Sequence, residues 1–464
     1  MSDAELKESV SPDEQVEEIG LSDETVRDVR AALEGEHVHE VETLCQEMHP
    51  ADLADLLERL DSDERHALLD IVGPKLDPQV VSHIDGALRD EVAEILGTAK
   101  VASILKHLES DDALEFFEDL SEDLRSRILA RVPVTIRRIL QEGLEYPEES
   151  AGRLMQREVV VVPAIWSVGN TIDYMRSHKK QMRQDFYDLY VVDPLYKPIG
   201  KLPLSRVLRN KRPVKVVDIM EEEVHPIPLQ MDQEEVAYLF KQYSLLSAPV
   251  VDQAGRRVGV ITVDDVVHVV EEEAEDDLLR LGGVSETNIY SAVLETASSR
   301  FTWLLVNLGT AVLASVVIGF FEGTIQQVVA LAVLMPIVAS MGGNAGTQTL
   351  TVAVRALAMK DLTQANIRRF VSKELAVGLL NGVLFAVLVG GVAWAWFGSL
   401  LIGLVIAAAM VVNMVVAGLF GTLIPITLDR LKIDPAIASS VFLTTVTDVI
   451  GFLAFLGLAA LVLL

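Results

Sequence analysis

The sequence predicts a multidomain membrane protein: an α-helical N-terminal solenoid, a repeated α/β unit, and a domain of five transmembrane helices. Charge is the first observation behind this prediction. Residues 301–464 hold 7 Lys and Arg and 6 Asp and Glu, whereas residues 1–300 hold 32 and 62, a net charge of -30. A long, nearly uncharged segment joined to an acidic one is typical of a membrane domain with a soluble head. No basic surface remains to neutralise phosphates, so nucleic acid is excluded as a partner.

The N-terminal region and the cysteine content indicate where the head resides. Residues 1–22 are acidic and poor in apolar side chains, which predicts a disordered tail and no cleavable signal peptide. Cys45 is the single cysteine, so no intramolecular disulfide forms and a reducing compartment is suitable. We therefore expect a cytoplasmic head attached to a multi-pass domain in the plasma (inner) membrane.

Residues 23–147 have the apolar spacing of helices, for example at Leu53, Leu56, Leu57 and Leu60. The acidic turns at 60–64 and 108–112 resemble each other and lie 48 residues apart. Such a recurrence predicts stacked helical hairpins, a short acidic solenoid.

A clearer repeat follows the solenoid. The segment YVVD at 190–193 recurs as PVVD at 249–252, a shift of 59 residues, and LM at 154–155 recurs as IM at 219–220. Each copy has a short apolar leading segment, a helix, two strands joined by a polar turn, and a closing helix. These two copies resemble a pair of CBS domains, at residues 148–210 and 211–277.

The resemblance to CBS domains implies a regulatory module, which in many members holds ATP or another adenine nucleotide. The family's nucleotide-contacting Thr and Asp match Thr262 and Asp265 here. The matching places in the first copy are Pro203 and Arg206, which leaves one candidate site. A structural pair that binds no nucleotide is the alternative.

An acidic run follows at residues 264–277, immediately before a connecting (plug) helix expected at 278–300. Oxygen ligands of this kind suit Mg²⁺ or Ca²⁺, and unscreened carboxylates so close in sequence repel one another. The run is therefore a candidate divalent-cation sensor, with a merely solvated helix face as the alternative. Its carboxylates are Asp264, Asp265, Glu271, Glu272, Glu273, Glu275, Asp276 and Asp277.

Uncharged runs predict the five membrane spans of residues 301–464. The uncharged runs are 301–321, 323–354 and 375–428, the last divided into two spans near Gly398, and the fifth span, 435–464, contains one charge, Asp448. The second run is long enough that we expect it to tilt or break, with an irregularity at Pro336 or at Gly342 and Gly343.

Loop charges predict the orientation of these spans. The segment 355–374 carries five Lys and Arg and the loop at 429–434 carries two, whereas the connections near Glu322 and Gly398 carry none. The positive-inside rule then places the N-terminus in the cytoplasm and the C-terminus outside.

Asp448 is the most informative residue of the membrane domain, because a carboxylate near the bilayer centre costs about 2.5–3.5 kcal/mol or more. It lies 14 residues after Asp434, so it is near mid-membrane. Thr444 and Thr445 share its helix face. A cation pathway lined by these three residues is the leading hypothesis, and a protonated Asp448 hydrogen-bonded to a neighbouring helix is the alternative.

A second polar island occupies residues 341–348, MGGNAGTQ. Its glycines allow close approach of the backbone, and Asn344 and Gln348 offer oxygens one turn apart. Glycine-rich helix packing is the alternative. Asn381 and Asn413 are expected to make packing hydrogen bonds.

These features together resemble the MgtE family of magnesium channels or transporters. The order of parts agrees, and two motifs carry the likeness: 336–348 with its GGNAGTQ core, and DPA at 434–436 followed by TTVTD at 444–448. The resemblance implies a homodimer with one pore. It also implies that Asp448 is the selectivity residue and that Asn344, Thr444 and Thr445 line the pore. Mg²⁺ bound at the acidic run is then expected to close the pore.

Several alternatives remain open at the level of sequence. Oxygen ligands do not separate Mg²⁺ from Co²⁺, Mn²⁺ or Ca²⁺, and a proton-coupled transporter would have Asp448 titrate. A CBS-regulated anion transporter is disfavoured by that carboxylate. A membrane-anchored cation or nucleotide sensor that transports nothing is the alternative of a different class. The sequence has no P-loop motif, and no His or Cys follows residue 268, so we do not expect an enzyme.

Overall fold

The computed structural model describes residues 20–178, 186–284 and 293–464, apart from the side chains of residues 295 and 437–439. The chain divides into two compact units, residues 1–270 and 271–464. The division falls inside one continuous helix, whereas the sequence placed boundaries after residues 277 and 300. Most of the predicted acidic tail, and residues 285–292 of the predicted connecting helix, lie outside the described residues.

The N-terminal part of the first unit is the predicted helical domain. Its helices are α1 Asp23–Glu34, α2 Val38–Gln46, α3 Pro50–Arg59, α4 Ser62–Val72, α5 Gln79–Ser82, α6 Gly86–Leu96, α7 Thr98–Ile104, α8 Ser110–Glu118, α9 Glu122–Leu129 and α10 Val134–Leu144. Both acidic turns noted in the sequence begin a helix: Asp61 forms a capping box at α4, and Glu109 precedes α8. One apolar core, including Leu56, Leu57 and Phe116, runs through these helices.

Two buried arginines join successive hairpins of this domain. Arg65 donates to the carbonyl oxygens of Leu57 and Leu60 and pairs with Glu91 at 2.5 Å. Arg89 pairs with both Glu115 and Asp119, at 2.7 and 2.9 Å. A buried guanidinium needs such partners, so these contacts fix the stacking of the hairpins.

The repeated α/β unit forms two three-stranded sheets with the same topology. Its elements are α11 Ala151–Leu154, β1 Val161–Pro163, α12 Val168–Ser177, β2 Asp188–Val192, β3 Pro198–Pro203, α13 Leu204–Arg209, β4 Ile227–Pro228, α14 Gln233–Tyr243, β5 Ser247–Val251, β6 Arg257–Thr262 and α15 Val263–Leu281. The first strand of each sheet is parallel to the second, and the third is antiparallel. Val191 pairs with Gly200 as Val250 pairs with Gly259, so the 59-residue repeat is confirmed.

The two copies exchange their leading segments. Met155, in the leading segment of the first copy, packs into the core of the second, and Met220, in the leading segment of the second copy, packs into the core of the first. A Cβ on Gly259 would lie 2.7 Å from the sulfur of Met155, and a Cβ on Gly200 would lie 2.7 Å from that of Met220. Each copy therefore completes its core with residues on the far side of the predicted boundary at 210.

The second unit contains the five predicted spans. Its helices are α16 Val293–Gly319, α17 Glu322–Gln327, α18 Ala330–Ala358, α19 Ile367–Phe397, α20 Leu400–Arg430 and α21 Pro435–Leu463. All but α17 contain segments that are long and apolar enough to cross a membrane.

Two expectations about these spans were wrong. The second uncharged run breaks between α17 and α18, and α18 continues through Pro336, Gly342 and Gly343. A proline is tolerated inside a membrane helix where neighbouring helices cover the freed backbone groups. The third span begins at Ile367, so Glu374 is part of a helix and buried, and it accepts a hydrogen bond from Thr349.

Candidate functional site: a polar helix face and two carboxylate contacts

A polar face crosses the membrane unit on α18 and α21. Asn344, Thr347 and Gln348 are exposed on α18, and Thr444 is exposed on α21 one turn before Asp448. The two helices pack closely, because a Cβ on Gly346 would lie 2.9 Å from the side chain of Leu443. Gly346 thus allows α18 and α21 to pack closely, which is the packing alternative given above for the polar island at residues 341–348.

The threonine hydroxyls of this face direct their protons back into their own helices. Thr444 donates to the carbonyl oxygen of Ser440 and Thr445 to that of Val441, each at 2.6 Å, and Thr347 donates to that of Gly343 at 3.0 Å. A hydroxyl whose proton is used in this way keeps lone pairs that accept from water or bind a cation. The face is therefore chemically an array of oxygen acceptors.

Asp448 is half-buried on α21. Within the described residues, no side chain donates a hydrogen bond to its carboxylate or forms an ion pair with it. A carboxylate in an apolar span without a basic partner attracts a cation, and among these residues it has no other evident counter-charge.

The predicted sensor run is a single helix in the structure. Asp264 and Asp277 are 13 residues apart on α15, about 20 Å at 1.5 Å per residue, and the carboxylates between them point around the axis. Among the described residues, no group of three or more His, Cys, Asp or Glu side chains is placed to hold a metal ion. The run does not converge on one site, and its two ends have different surroundings.

The first end of the run contacts the helical domain. Asp265 accepts a hydrogen bond from Thr262 at 2.8 Å, Thr262 accepts one from Gln156 at 3.2 Å, and Gln156 also donates to Asp111 at 3.4 Å. Asp111 is buried. Burial, and next the charge of Asp265, raise the pKa of Asp111 well above its usual range. The sequence showed Asp111 only as part of an acidic turn, so its role was missed.

The other end of the run belongs to the second unit and contacts the start of α21. Arg280 pairs with Asp276 at 2.5 Å and also with Asp434, whose other carboxylate oxygen caps α21 at the N–H of Ala436. Burial, and next the charge of Asp434, raise the pKa of Asp277. The sequence shows Asp434 as part of the DPA motif but does not indicate that it is a neighbour of the acidic run.

The central carboxylates of the run are distributed along α15. Glu271, Glu272 and Glu275 are exposed along α15, and Glu273 is half-buried. Among the described residues, the structure brings Asp265 near Asp111 and Asp277 near Asp434, while Glu271 and Glu275 are exposed between these two places.

A cleft of about 210 Å³ lies between the two α/β copies. Thr262 and Asp264 line it, and Asp265 accepts a hydrogen bond from Thr262. Among its other lining residues, the hydroxyl of Ser247 donates to Asp188 at 3.0 Å and contacts that of Tyr190 at 2.7 Å. The corresponding Arg206 of the first copy is held by Glu221 at 2.7 Å.

Family models match three parts of the chain. A model described as a divalent cation transporter, MgtE, matches residues 335–458, the MgtE intracellular N domain matches 48–149, and the CBS domain matches 216–272. The match to the divalent cation transporter model includes the polar face, and the match to the CBS domain includes Thr262 and much of the acidic run.

Three relatives named magnesium transporter MgtE match most of the chain. The magnesium transporter MgtE of Thermus thermophilus is 31% identical over 449 residues, 94% of this chain and 98% of the relative. That of Enterococcus faecalis is 34% identical over 322 residues, 69% and 71% of the two chains, and that of Bacillus subtilis is 28% identical over 438 residues, 94% and 97%. A crystal structure of the cytosolic domain of the Mg²⁺ channel MgtE with ATP is 28% identical, covering 53% of this chain and 99% of that one, with a TM-score of 0.49.

Proposed function

Since the chain belongs to the MgtE family of magnesium transporters, we propose that it is a magnesium-selective channel for uptake across the plasma membrane. The observation that carries the proposal is Asp448, a carboxylate on a polar membrane face with no bonded partner among the described residues. Loop charges favour a cytoplasmic N-terminus and an outward C-terminus.

The exposure of the polar face supports a homodimer as the conducting form. Asn344, Gln348 and Thr444 are exposed on one chain, and polar groups facing lipid are unfavourable. Two copies that place this face against each other would enclose the polar groups around one water-filled path. Asn344, Thr444, Thr445 and Asp448 would line that path, and a largely hydrated Mg²⁺ would bind through its waters.

Ion flux into proteoliposomes tests this function. We expect Mg²⁺ entry down its gradient without an imposed pH gradient, and slower entry of Ca²⁺, whose looser, larger coordination shell fits a fixed ring of acceptors less well. Flux that requires a proton gradient would indicate a coupled transporter. Flux of Co²⁺ or Mn²⁺ that equals or exceeds that of Mg²⁺ would mean that the protein is not selective for magnesium. The absence of any cation flux would favour the anchored sensor instead.

We propose regulation by cytoplasmic magnesium, which the nearness of Asp111 and Asp265 supports. Burial, and next the charge of Asp265, raise the pKa of Asp111, so the ionised pair opposes packing of the helical domain on α15. A divalent cation near both carboxylates would offset this repulsion and favour the packed head. A ligand shifts such an equilibrium only through its preference for one state, and here that state is the packed one.

The far end of α15 gives this change a route to the pore. Arg280 pairs with both Asp276 and Asp434, and Asp277 lies near Asp434, which caps the helix that carries Asp448. We propose that packing of the head positions α15 against α21 and closes the path. The sensor residues are then Asp265, Asp276 and Asp277 with Asp111 and Asp434, while Asp264, Glu271, Glu272, Glu273 and Glu275 supply a general negative field.

The head alone should respond to magnesium. Residues 1–270 form a compact unit, so we expect this fragment to be digested rapidly by protease in chelator and slowly in millimolar Mg²⁺. Asp111→Asn should make the digestion slow in both conditions. An identical digestion pattern with chelator and with magnesium would contradict the assignment of Asp111 and Asp265 to a magnesium sensor.

Acid should act on the head as magnesium does. The pKa of Asp111 is raised in the packed head, so the packed state is fully favoured below the ordinary pKa of an aspartate. This advantage is lost as the pH rises through the raised value. Lowering the pH in chelator should therefore slow digestion, and the Asp111→Asn fragment should lack this part of the pH response.

A regulatory nucleotide is a second candidate, favoured by the cleft between the α/β copies. Asp188, which lines it, has the chemistry to accept hydrogen bonds from ribose hydroxyls, and Tyr187 and Phe186 also line it. We propose an adenine nucleotide, ATP among them, with Thr262 contacting it directly and Asp265 orienting Thr262. Calorimetric titration with ATP and with adenosine would distinguish a nucleotide from a structural pair that binds neither.

A further inference from the structure

Asn413 is a fully buried polar side chain about halfway along α20. Its amide nitrogen donates to the carbonyl oxygen of Val338 on α18 at 2.8 Å. The surrounding core is apolar and includes Met410, Met414 and Phe452. Asn413 is thus a polar link between helices inside the membrane unit.

Two glycines make room for this link. A Cβ on Gly342 would lie 2.2 Å from the amide nitrogen of Asn413, and a Cβ on Gly451 would lie 2.9 Å from it. Gly342 belongs to α18 and precedes Asn344 by two residues, while Gly451 belongs to α21 and follows Asp448 by three. One side chain of α20 therefore touches both helices of the polar face, within a turn of the residue that each contributes.

The side chain also carries an acceptor that the structure leaves unbonded. Among the described residues, no donor reaches the Oδ1 atom of Asn413 within hydrogen-bond distance. Burying such an atom is unfavourable, and an apolar side chain would avoid this cost. A departure of this kind from good packing is expected where the polar group has a further role.

Asn413 is not placed to bind the ion itself. It is fully buried, whereas Asn344 is exposed on the polar face. Its contacts constrain the helices instead, because the hydrogen bond to Val338 fixes the rotation of α18 and the contact at Gly451 limits the approach of α21.

We propose that Asn413 is a positioning residue that sets the separation of Asn344 and Asp448 and thereby determines which hydrated cation passes. This inference rests on the proposed function for its transport readout. Displacement of α18 or α21 changes the spacing of the acceptors around the ion, and it does so without removing any of them.

Four variants of the full chain test the proposal: Asn413→Leu, Asn413→Ala, Gly342→Ala, and the double variant Gly342→Ala with Asn413→Ala. Gly342→Ala should unfold at a lower temperature, since its methyl group meets the amide of Asn413. The double variant should recover this stability because the smaller residue 413 leaves space for the methyl group. Asn381→Leu removes a half-buried amide from α19 and is the matched control.

The transport readout is the ratio of Mg²⁺ to Co²⁺ flux in proteoliposomes. Displacement of a positioned group by about 1 Å can change a rate by up to 10²-fold, so we expect Asn413→Leu to change this ratio about tenfold. The stable double variant should share the altered ratio, while Asn381→Leu should keep that of the unchanged protein. A wild-type ratio in the double variant would overturn the proposal and mean that Asn413 is only a packing residue. This outcome does not depend on whether Asn413→Leu folds.

A second readout does not require transport. Spin labels at Thr351→Cys on α18 and Ser440→Cys on α21, in a Cys45→Ala background, report the distance between the two helices. We expect the double variant to shift or broaden this distance distribution, and an unchanged distribution would overturn the proposal. Wild-type protein that transports no cation would contradict the proposed function, while the spin-label distances would still decide the role of Asn413.

Discussion

Asp448→Asn should reduce Mg²⁺ flux to the background of empty liposomes. The substitution keeps the shape of the side chain and removes its charge. A divalent cation about 5 Å from one carboxylate is attracted by roughly 7 kcal/mol at an effective dielectric of 20, before desolvation reduces the gain. Each 1.4 kcal/mol corresponds to a factor of ten in an equilibrium constant, so even a fraction of this attraction determines whether the ion enters.

Folding and insertion of Asp448→Asn should be unimpaired, because the variant loses the cost of a charge within the bilayer. Glu322→Gln is the matched control, since Glu322 is an exposed carboxylate at the start of α17. Purified Asp448→Asn that conducts near-normal Mg²⁺ would show that the ion path lies elsewhere.

Asp111→Asn combined with Asp265→Asn should give a channel that is largely closed even when cytoplasmic Mg²⁺ is low. The two carboxylates are the charges that the proposed sensor brings together, and like charges 4 Å apart repel by about 4 kcal/mol at an effective dielectric of 20. With both neutralised, the repulsion that opposes the packed head is removed, so the packed, closed state no longer depends on magnesium at this position. The measurement is Mg²⁺ flux as a function of the magnesium concentration on the cytoplasmic side.

Two comparisons define the outcome for this sensor. Glu94→Gln with Glu145→Gln removes the same charge from exposed positions of the helical domain and should close normally. Asp264→Ala with Glu271→Ala and Glu272→Ala removes three charges from the rest of the run and should change the magnesium dependence of closure less. Closure of the Asp111 and Asp265 double variant at the wild-type concentration would contradict the assignment.

The spans and the repeat were predictable because each leaves a local pattern. Uncharged runs of about twenty residues gave the five membrane helices, and the 59-residue shift gave two sheets whose irregularities fall at Val192 and Val251. Pro336 misled the prediction because a proline disrupts an isolated helix, whereas neighbouring helices support this one.

The sensor contacts were not predictable from local pattern. Asp111 and Asp265 lie near each other although they are 154 residues apart in sequence. Arg280 and Asp434, which are also 154 residues apart, form an ion pair. An acidic run shows that charge is concentrated, but not which residues face another element. The burial of Glu374 was missed for a similar reason, since it stood at the edge of a basic segment that was taken for a loop.

The reciprocal placement of Met155 and Met220 makes the two α/β copies a single cooperative unit. A truncation after residue 210 would remove Met220 from the core of the first copy, and one that begins after 157 would remove Met155 from that of the second. Neither copy should therefore unfold without the other. An insertion between them would be tolerated only if both leading segments still reached their places, so the connection between the copies has less freedom to change in evolution than an ordinary interdomain linker.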